Sequence, residues 1–447
     1  MSLPVRPVDG SRRPAGSLWA ISLPLVFVEL GEMIVHVTDT VLLAHVGHAE
    51  LGAVALGDVV LELAVVPAIG LVEAVQIVVA RRAGEDRLLD LRRAFIRGMA
   101  LIGLVSIVAA VCIALLAPAL AARLAGSAGV TGPLASFLRI AAVGIVFETA
   151  SLGLGALCVG LGRTRILLGV TAVLVVTNLS LDSVLIFGRL GFPTLGIEGA
   201  ALGSVLAEIA AFGVLAVYVL RKLNVRPVGD DVSDDRLTLS LIDTAWPVSI
   251  EAALDTARWL IFFLVVARIG EEALAASSIV YACYAVFVIP AMGFAEATCS
   301  LVSHLVGRRD TAGIPLVVRR LERRAGLLTL PLLAVGVLAP ETLLTIFGTE
   351  GGNPEGVATA VRVVALAMVV AVPGELWLAA LTGTGDTALA LRAQLAESVV
   401  MAGGVSLAVL VGAGVPGAWA AVGVAWLVGL GLARTQVERG RWRSRFV

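Results

Sequence analysis

The sequence predicts an all-α integral membrane protein with twelve transmembrane helices, arranged as two six-helix lobes related by a parallel pseudo-twofold repeat. Three observations lead there. The first is composition: of 447 residues, 59% are hydrophobic and 15% charged, against roughly 25% charged in soluble domains. Apolar runs long enough to cross a bilayer recur along the chain. The second is self-similarity. Shifted by 223 positions, Pro24 falls on Pro247, Gly47 on Gly270, Leu51 on Leu274 and Glu73 on Glu296. The segment Pro67-Ala68-x-Gly70 falls on Pro290-Ala291-x-Gly293, and Gly160-x-Gly162-x-Thr164 on Gly383-x-Gly385-x-Thr387, all without a gap. A later echo, Gly196-x-x-Gly199-Ala200 against Gly414-x-x-Gly417-Ala418, needs five residues deleted. Such a duplication is a signature of transporter folds, whose sites lie where the repeats meet. The third is arginine placement, which alternates with the spans as described below.

Taken in order, residues 1–17 are polar, with Arg6, Arg12 and Arg13, and read as a cytoplasmic N-terminal segment. The apolar run after them is too long for a signal-peptide core and lacks a small-residue cleavage site, so it is the first span. Spans are placed at about 18–44, 50–80, 94–118, 133–157, 165–188 and 197–221, forming an N-lobe of residues 18–221. Residues 222–239 carry Asp230, Asp231, Asp234 and Asp235 and read as a solvated cytoplasmic linker. Spans at about 240–267, 272–302, 318–340, 355–383, 387–411 and 414–436 form a C-lobe of residues 240–436, followed by a basic cytoplasmic tail at 437–447. Pro24, Pro67, Pro247, Pro290 and Pro373 fall inside spans. Each removes a backbone hydrogen bond and marks a place to bend.

One set of loops carries Arg81, Arg82, Arg87, Arg92, Arg93 and Arg97, then Arg163, Arg165, Arg221, Lys222, Arg308, Arg309, Arg319 and Arg320. The opposite loops have only Arg123, Arg189 and Arg268. The positive-inside bias places both termini in the cytoplasm, as an even number of spans requires. The expected location is the cell's inner (plasma) membrane. Orientation and lipid contact account for these arginines, and no nucleic-acid partner is implied. Cys112, Cys158, Cys283 and Cys299 sit in apolar runs without metal spacing and read as packing residues. His45 and His48 form a lone i,i+3 pair in an outer loop, which is weak evidence for a metal. No HExxH, Gly-x-Ser-x-Gly or phosphate loop appears. No catalytic residue, enzymatic activity, metal or cofactor is expected.

Fourteen acids lie within spans, away from their ends: Glu29, Glu32, Asp39, Asp58, Glu62, Glu73, Glu148, Asp182, Glu208, Glu251, Asp255, Glu296, Glu375 and Glu397, opposed there only by Arg139, Arg258 and Arg362. An ionised group facing lipid costs about 2.5–3.5 kcal/mol on insertion scales. These acids therefore face a cavity, pair, or hold protons, and their excess suits cation or proton handling. Asp39 lies near the outer end of the first span and Asp182 near the outer end of the fifth. Asn178 is one turn below Asp182 on the same helix face, and Ser204 is about two turns into the sixth span. The four reach similar depth and make an all-oxygen set suited to a hard cation or to shared protons. Two close carboxylates cannot both ionise cheaply. In the second lobe Glu251 and Asp255 are one turn apart, with Arg258 three residues on, so Asp255 and Arg258 can also form a neutral pair.

These residues resemble a known family. Pro24, Val37-Thr38-Asp39-Thr40, Gly47, Leu51-Gly52-Ala53-Val54 and the Gly70 to Gly84 segment look like the first two helices of the MATE (multidrug and toxic compound extrusion) family. Asn178-x-x-x-Asp182 and Gly199-Ala200-Ala201-Leu202-Gly203-Ser204 look like its helices 5 and 6. The similarity spans essentially the whole chain and is closest to the DinF-like branch. It implies exchange of inward H⁺ or Na⁺ for outward cationic or amphiphilic drugs and toxic organic compounds by alternating access, in a monomer embedded in the bilayer. It also implies that Asp39, Asn178 and Asp182 form the cation or proton site, with Ser204 where a threonine is common. A helix-7 acid of the NorM-like branch falls on Asp255, and a helix-10 aspartate has Glu375 as its nearest acid. Glu251, Asp255 and Glu375 are therefore C-lobe candidates for coupling or substrate contact, and Pro24 for gating. The alternative within the superfamily is a lipid-linked oligosaccharide flippase. Flippases commonly carry arginine-rich cavities, whereas acids dominate here.

Overall fold

The computed structural model describes residues 16–223, 235–346, 354–440 and 442. Most of the expected N-terminal segment, of the linker and of the basic tail lies outside the described residues. The helices are α1 (Gly16–Ala44), α2 (His48–Gly84), α3 (Leu88–Leu124), α4 (Ala128–Gly160), α5 (Arg165–Leu185), α6 (Ile197–Tyr218), α7 (Asp235–Val266), α8 (Glu271–Gly307), α9 (Ile314–Leu338), α10 (Pro340–Ile346), α11 (Pro354–Gly383), α12 (Thr387–Leu410) and α13 (Gly414–Arg439). With the seven-residue α10 set aside, the twelve long helices match the twelve expected spans in order. Most run several residues further, because their charged ends continue the helix past the apolar core. Ten are long and apolar enough to cross a membrane. Of the other two, α9 opens with Arg319, Arg320, Glu322, Arg323 and Arg324, and α7 carries Asp243, Glu251, Asp255 and Arg258.

The described residues divide into two compact units. One is Phe27–Ser249; the other comprises residues 16–26 and 250 onward. The borders fall inside α1 and α7, two residues after Pro24 and Pro247. The sequence-based division at the linker follows the order of spans, whereas these units follow packing.

In the first unit α4 is central, packed along α2, α3 and α6, and α5 packs on α6. On α3, Leu104, Ile107, Val108, Val111 and Leu115 are exposed. The opposite stripe, Phe95, Gly98, Ile102, Ser106, Ala110, Ile113 and Ala117, is buried. That is amphipathicity turned outward, the apolar stripe meeting lipid. Ser106 Oγ accepts a 2.7 Å hydrogen bond from Thr149 Oγ1 and ties α3 to α4. In the second unit α11 is central, packed along α8, α9 and α13, with α12 on α13. This is the same plan repeated.

The repeated glycines have physical reasons. Gly160 brings α4 against the backbone of Gln76 and Ala80, and Gly383 brings α11 against Cys299. A Cβ at Gly383 would stand 2.5 Å from Cys299 O. Gly162 and Gly385 take φ of +66° and +87°, the left-handed turn that ends α4 and α11. Gly70 and Gly293 make similarly close approaches. A Cβ at Gly70 would stand 2.5 Å from Ala245 O, and one at Gly293 would stand 2.7 Å from the Cα of Val26. The inner parts of α7 and α1 are thus each seated on a repeat-related glycine.

Candidate functional site

The structure brings Asp39, Asn178, Asp182 and Ser204 together in the first unit. Three helices supply them: α1 gives Asp39, α5 gives Asn178 and Asp182, and α6 gives Ser204. The helix period sets the pairing on α5, since residues four apart share a face. Glycines then close the gaps. Gly31 on α1 has no room for a Cβ against Thr171 of α5, and Gly199 on α6 lies against the backbone of Leu185. A Cβ at Gly203 would run into Oδ1 of Asp182. The glycine-rich run 199–203 therefore makes the surface against which the Asp182 carboxylate rests.

Asn178 and Asp182 are fully buried, and Asp39 is half-buried. Asn178 Nδ2 donates to Ser204 Oγ at 3.3 Å, and the Asp39 carboxyl lies within hydrogen-bonding range of Asp182, Asn178 and Ser204. Asp39 Oδ1, both carboxylate oxygens of Asp182 and Asn178 Oδ1 are buried without a hydrogen-bond partner. A buried acceptor without a donor costs roughly 1–3 kcal/mol, more when charged. A cluster this rich in unpaired acceptors lowers that cost by binding a proton or a hard cation, and oxygen ligands suit either.

The second unit holds a different arrangement. Arg258 is 7% exposed. It forms an ion pair with Asp255 one turn earlier, and its Nη1 donates to Glu397 Oε1 at 2.8 Å. Glu375 and Glu397 line one small hollow with Gly374, Leu378, Trp426 and Gly429. Asp255 and Glu375 thus belong to one polar group, while Glu251 sits half-buried one turn before Asp255. Glu397 is the residue that sequence reasoning left out of the site. Arg362, set against the buried acids from sequence, instead donates to Glu341 at 2.9 Å and to the Val337 carbonyl at 3.2 Å. Pro24 is buried inside a continuous α1.

Fold and site together define a multi-pass membrane transporter of the two-repeat kind, with oxygen ligands held inside its spans. The MatE family model matches residues 24–184 and again 247–406. The two matches start 223 positions apart (247 minus 24), which is the internal repeat. The chain belongs to the MATE family. A relative from Bradyrhizobium diazoefficiens, named probable multidrug resistance protein NorM, is 28% identical over 73% of this chain and 69% of its own. Another of that name from Aromatoleum aromaticum is 27% identical over 82% of this chain and 78% of its own. The solved outward-facing structure of a multidrug resistance MATE transporter of the MOP superfamily superposes with a TM-score of 0.85. It is 20% identical and covers 98% of this chain and 99% of its own. A MOP superfamily transporter from Pyrococcus furiosus, described as having a binding pocket of reverse polarity, gives 0.86 at 19% identity over 97% and 98%. At these identities the structures establish the fold.

Proposed function

We propose that this protein is a cation-coupled antiporter that exports cationic or amphiphilic organic compounds by alternating access, with Asp39, Asn178, Asp182 and Ser204 as its coupling site. The observation that carries this reading is the buried set of oxygens without a donor. A proton or Na⁺ supplies what the set lacks. A permanently ionised acidic pair would be costly at this depth, so loading is tied to a favourable arrangement of α1 against α5 and α6.

Helix α1 is the element able to respond. It carries Asp39 and contains Pro24, which leaves one backbone bond unmade. Its inner part is seated on Gly293. In this reading cation loading draws Asp39 toward α5, α1 bends near Pro24, and the organic compound is displaced. The names of the relatives, multidrug resistance proteins, support a drug-like cargo. The pattern at Asp39, Asn178 and Asp182 supports the DinF-like branch, although those relatives bear the NorM name. Both termini in the cytoplasm, the inner-membrane location, lobes at 18–221 and 240–436, and a monomeric state complete the proposal.

The test uses proteoliposomes under separately imposed Na⁺ and proton gradients with a panel of organic cations. Wild type exports under one of the gradients, and Asp39→Asn, folded and inserted, does not. Transport of an anionic lipid-linked precursor without organic cations would instead favour the flippase.

A further inference from the structure

The two units treat their clustered acids differently. In the first, carboxylate oxygens lack donors. In the second, Arg258 lies between Asp255 of α7 and Glu397 of α12. Glu397 is held in place from behind: a Cβ at Gly429 of α13 would collide with its Oε2. Glu375 of α11 shares the hollow that Glu397 lines. Aromatic rings pack alongside. Trp259 lies 5.1 Å from Tyr284, which stacks on Trp426 at 5.4 Å and 20°. The guanidinium is therefore fixed by two carboxylates beside a wall of aromatic rings. Arginine stays protonated at any working pH, and its planar fork favours carboxylates.

The repeat shows that this cation is an addition to the common plan. Moved back 223 positions, Asp255 falls on Glu32, but Arg258 falls on Val35 and Glu397 on Leu174. The first unit has no equivalent of the pair.

We propose that Arg258 is a tethered counter-cation that occupies Asp255 and Glu397, so that no mobile Na⁺ or proton binds between that pair. Arg258 thereby sets the number of coupling cations carried per cycle. This rests on the coupling role proposed for Asp39 and Asp182 only for its effect on transport; occupancy of the second unit is measured separately.

The experiment counts cation equivalents, ²²Na⁺ plus protons, taken up by purified full-length protein. Arg258→Gln is expected to take up one more cation per protein than wild type. The gain should persist in Asp39→Asn/Arg258→Gln and be absent from Arg258→Lys, which keeps the charge. No gain in Arg258→Gln, or an equal gain in Arg258→Lys, overturns the proposal. Should Arg258→Gln not fold, Glu397→Gln in the otherwise wild-type chain decides. Its uptake equals that of wild type if Arg258 is the partner of Glu397, and a drop overturns the proposal. If Asp39→Asn leaves wild-type uptake unchanged, the coupling site is wrong, while the Arg258 comparison still stands.

Discussion

Replacing Gly203 by alanine separates stability from coupling more cleanly than removing a carboxylate. The added methyl would meet Asp182 Oδ1, with Asp182 Cγ at 3.2 Å and its backbone nitrogen at 3.4 Å. The backbone distance is tolerable, so the helix need not move. The carboxylate must. Overpacking costs about 1–3 kcal/mol in a well-filled core. Because a flexible carboxylate takes up the strain, loss of fold stability should stay at the low end, about 1 kcal/mol. The proposed coupling site has no such latitude, since moving Asp182 takes it off Asp39 and Asn178. A penalty of about 1–3 kcal/mol on cation binding is roughly a 5- to 150-fold weaker affinity. The assay pairs thermal unfolding in detergent with the cation concentration giving half-maximal export. Gly213→Ala, on the same helix with open space around it, is the control and should change neither. If Gly203→Ala shifts the half-maximal concentration no more than Gly213→Ala, the glycine run does not position the carboxylate and the geometric account of the site fails.

Other outcomes follow from the same packing. Gly293→Val pushes against the Val26 backbone, which cannot rotate away. It should lower stability by about 1–3 kcal/mol in unfolding experiments, and Gly326→Ala, in open space, should be neutral. Thr149→Val removes the bond to Ser106 and should cost only about 0.6 kcal/mol, the mean for hydrogen bonds between membrane helices; thermal unfolding against wild type measures it. Ser204→Ala takes away the acceptor for Asn178 Nδ2 and frees that amide. Cation affinity should then fall several-fold with the maximal export rate retained, in the same vesicle assay. Glu438→Gln breaks the surface pairs with Arg319 and Arg434 and should alter stability by less than about 1 kcal/mol.

Much of the fold was legible because a bilayer imposes long apolar helices and a duplication marks its own period. The clustering of the first unit's polar residues was legible too. Asp39, Asn178, Asp182 and Ser204 lie on three spans of known direction, so counting residues from the helix ends puts them at one depth. The pair Arg258–Glu397 was not. Its members are 139 positions apart on different helices, and no spacing rule links α7 to α12. The cue available was negative: an arginine in a span must have an acid nearby, but fourteen acids competed for it. The unit borders inside α1 and α7 were equally hidden. Hydropathy sees a span as one piece, whereas packing on Gly293 and Gly70 divides it just past the proline. The repeated glycines were visible as a pattern, and only the close approach at Gly160 and Gly383 explains why no side chain fits there.

The central claim is that cation loading at Asp39 and Asp182 and binding of the organic compound exclude one another. Linkage makes that exclusion reciprocal. The direct measurement is the equilibrium affinity of purified protein for tetraphenylphosphonium over a series of Na⁺ concentrations and pH values. The account predicts that wild-type affinity falls as the coupling cation rises, and that Asp39→Asn binds with an affinity indifferent to it. An Asp39→Asn protein with the wild-type dependence would contradict the account.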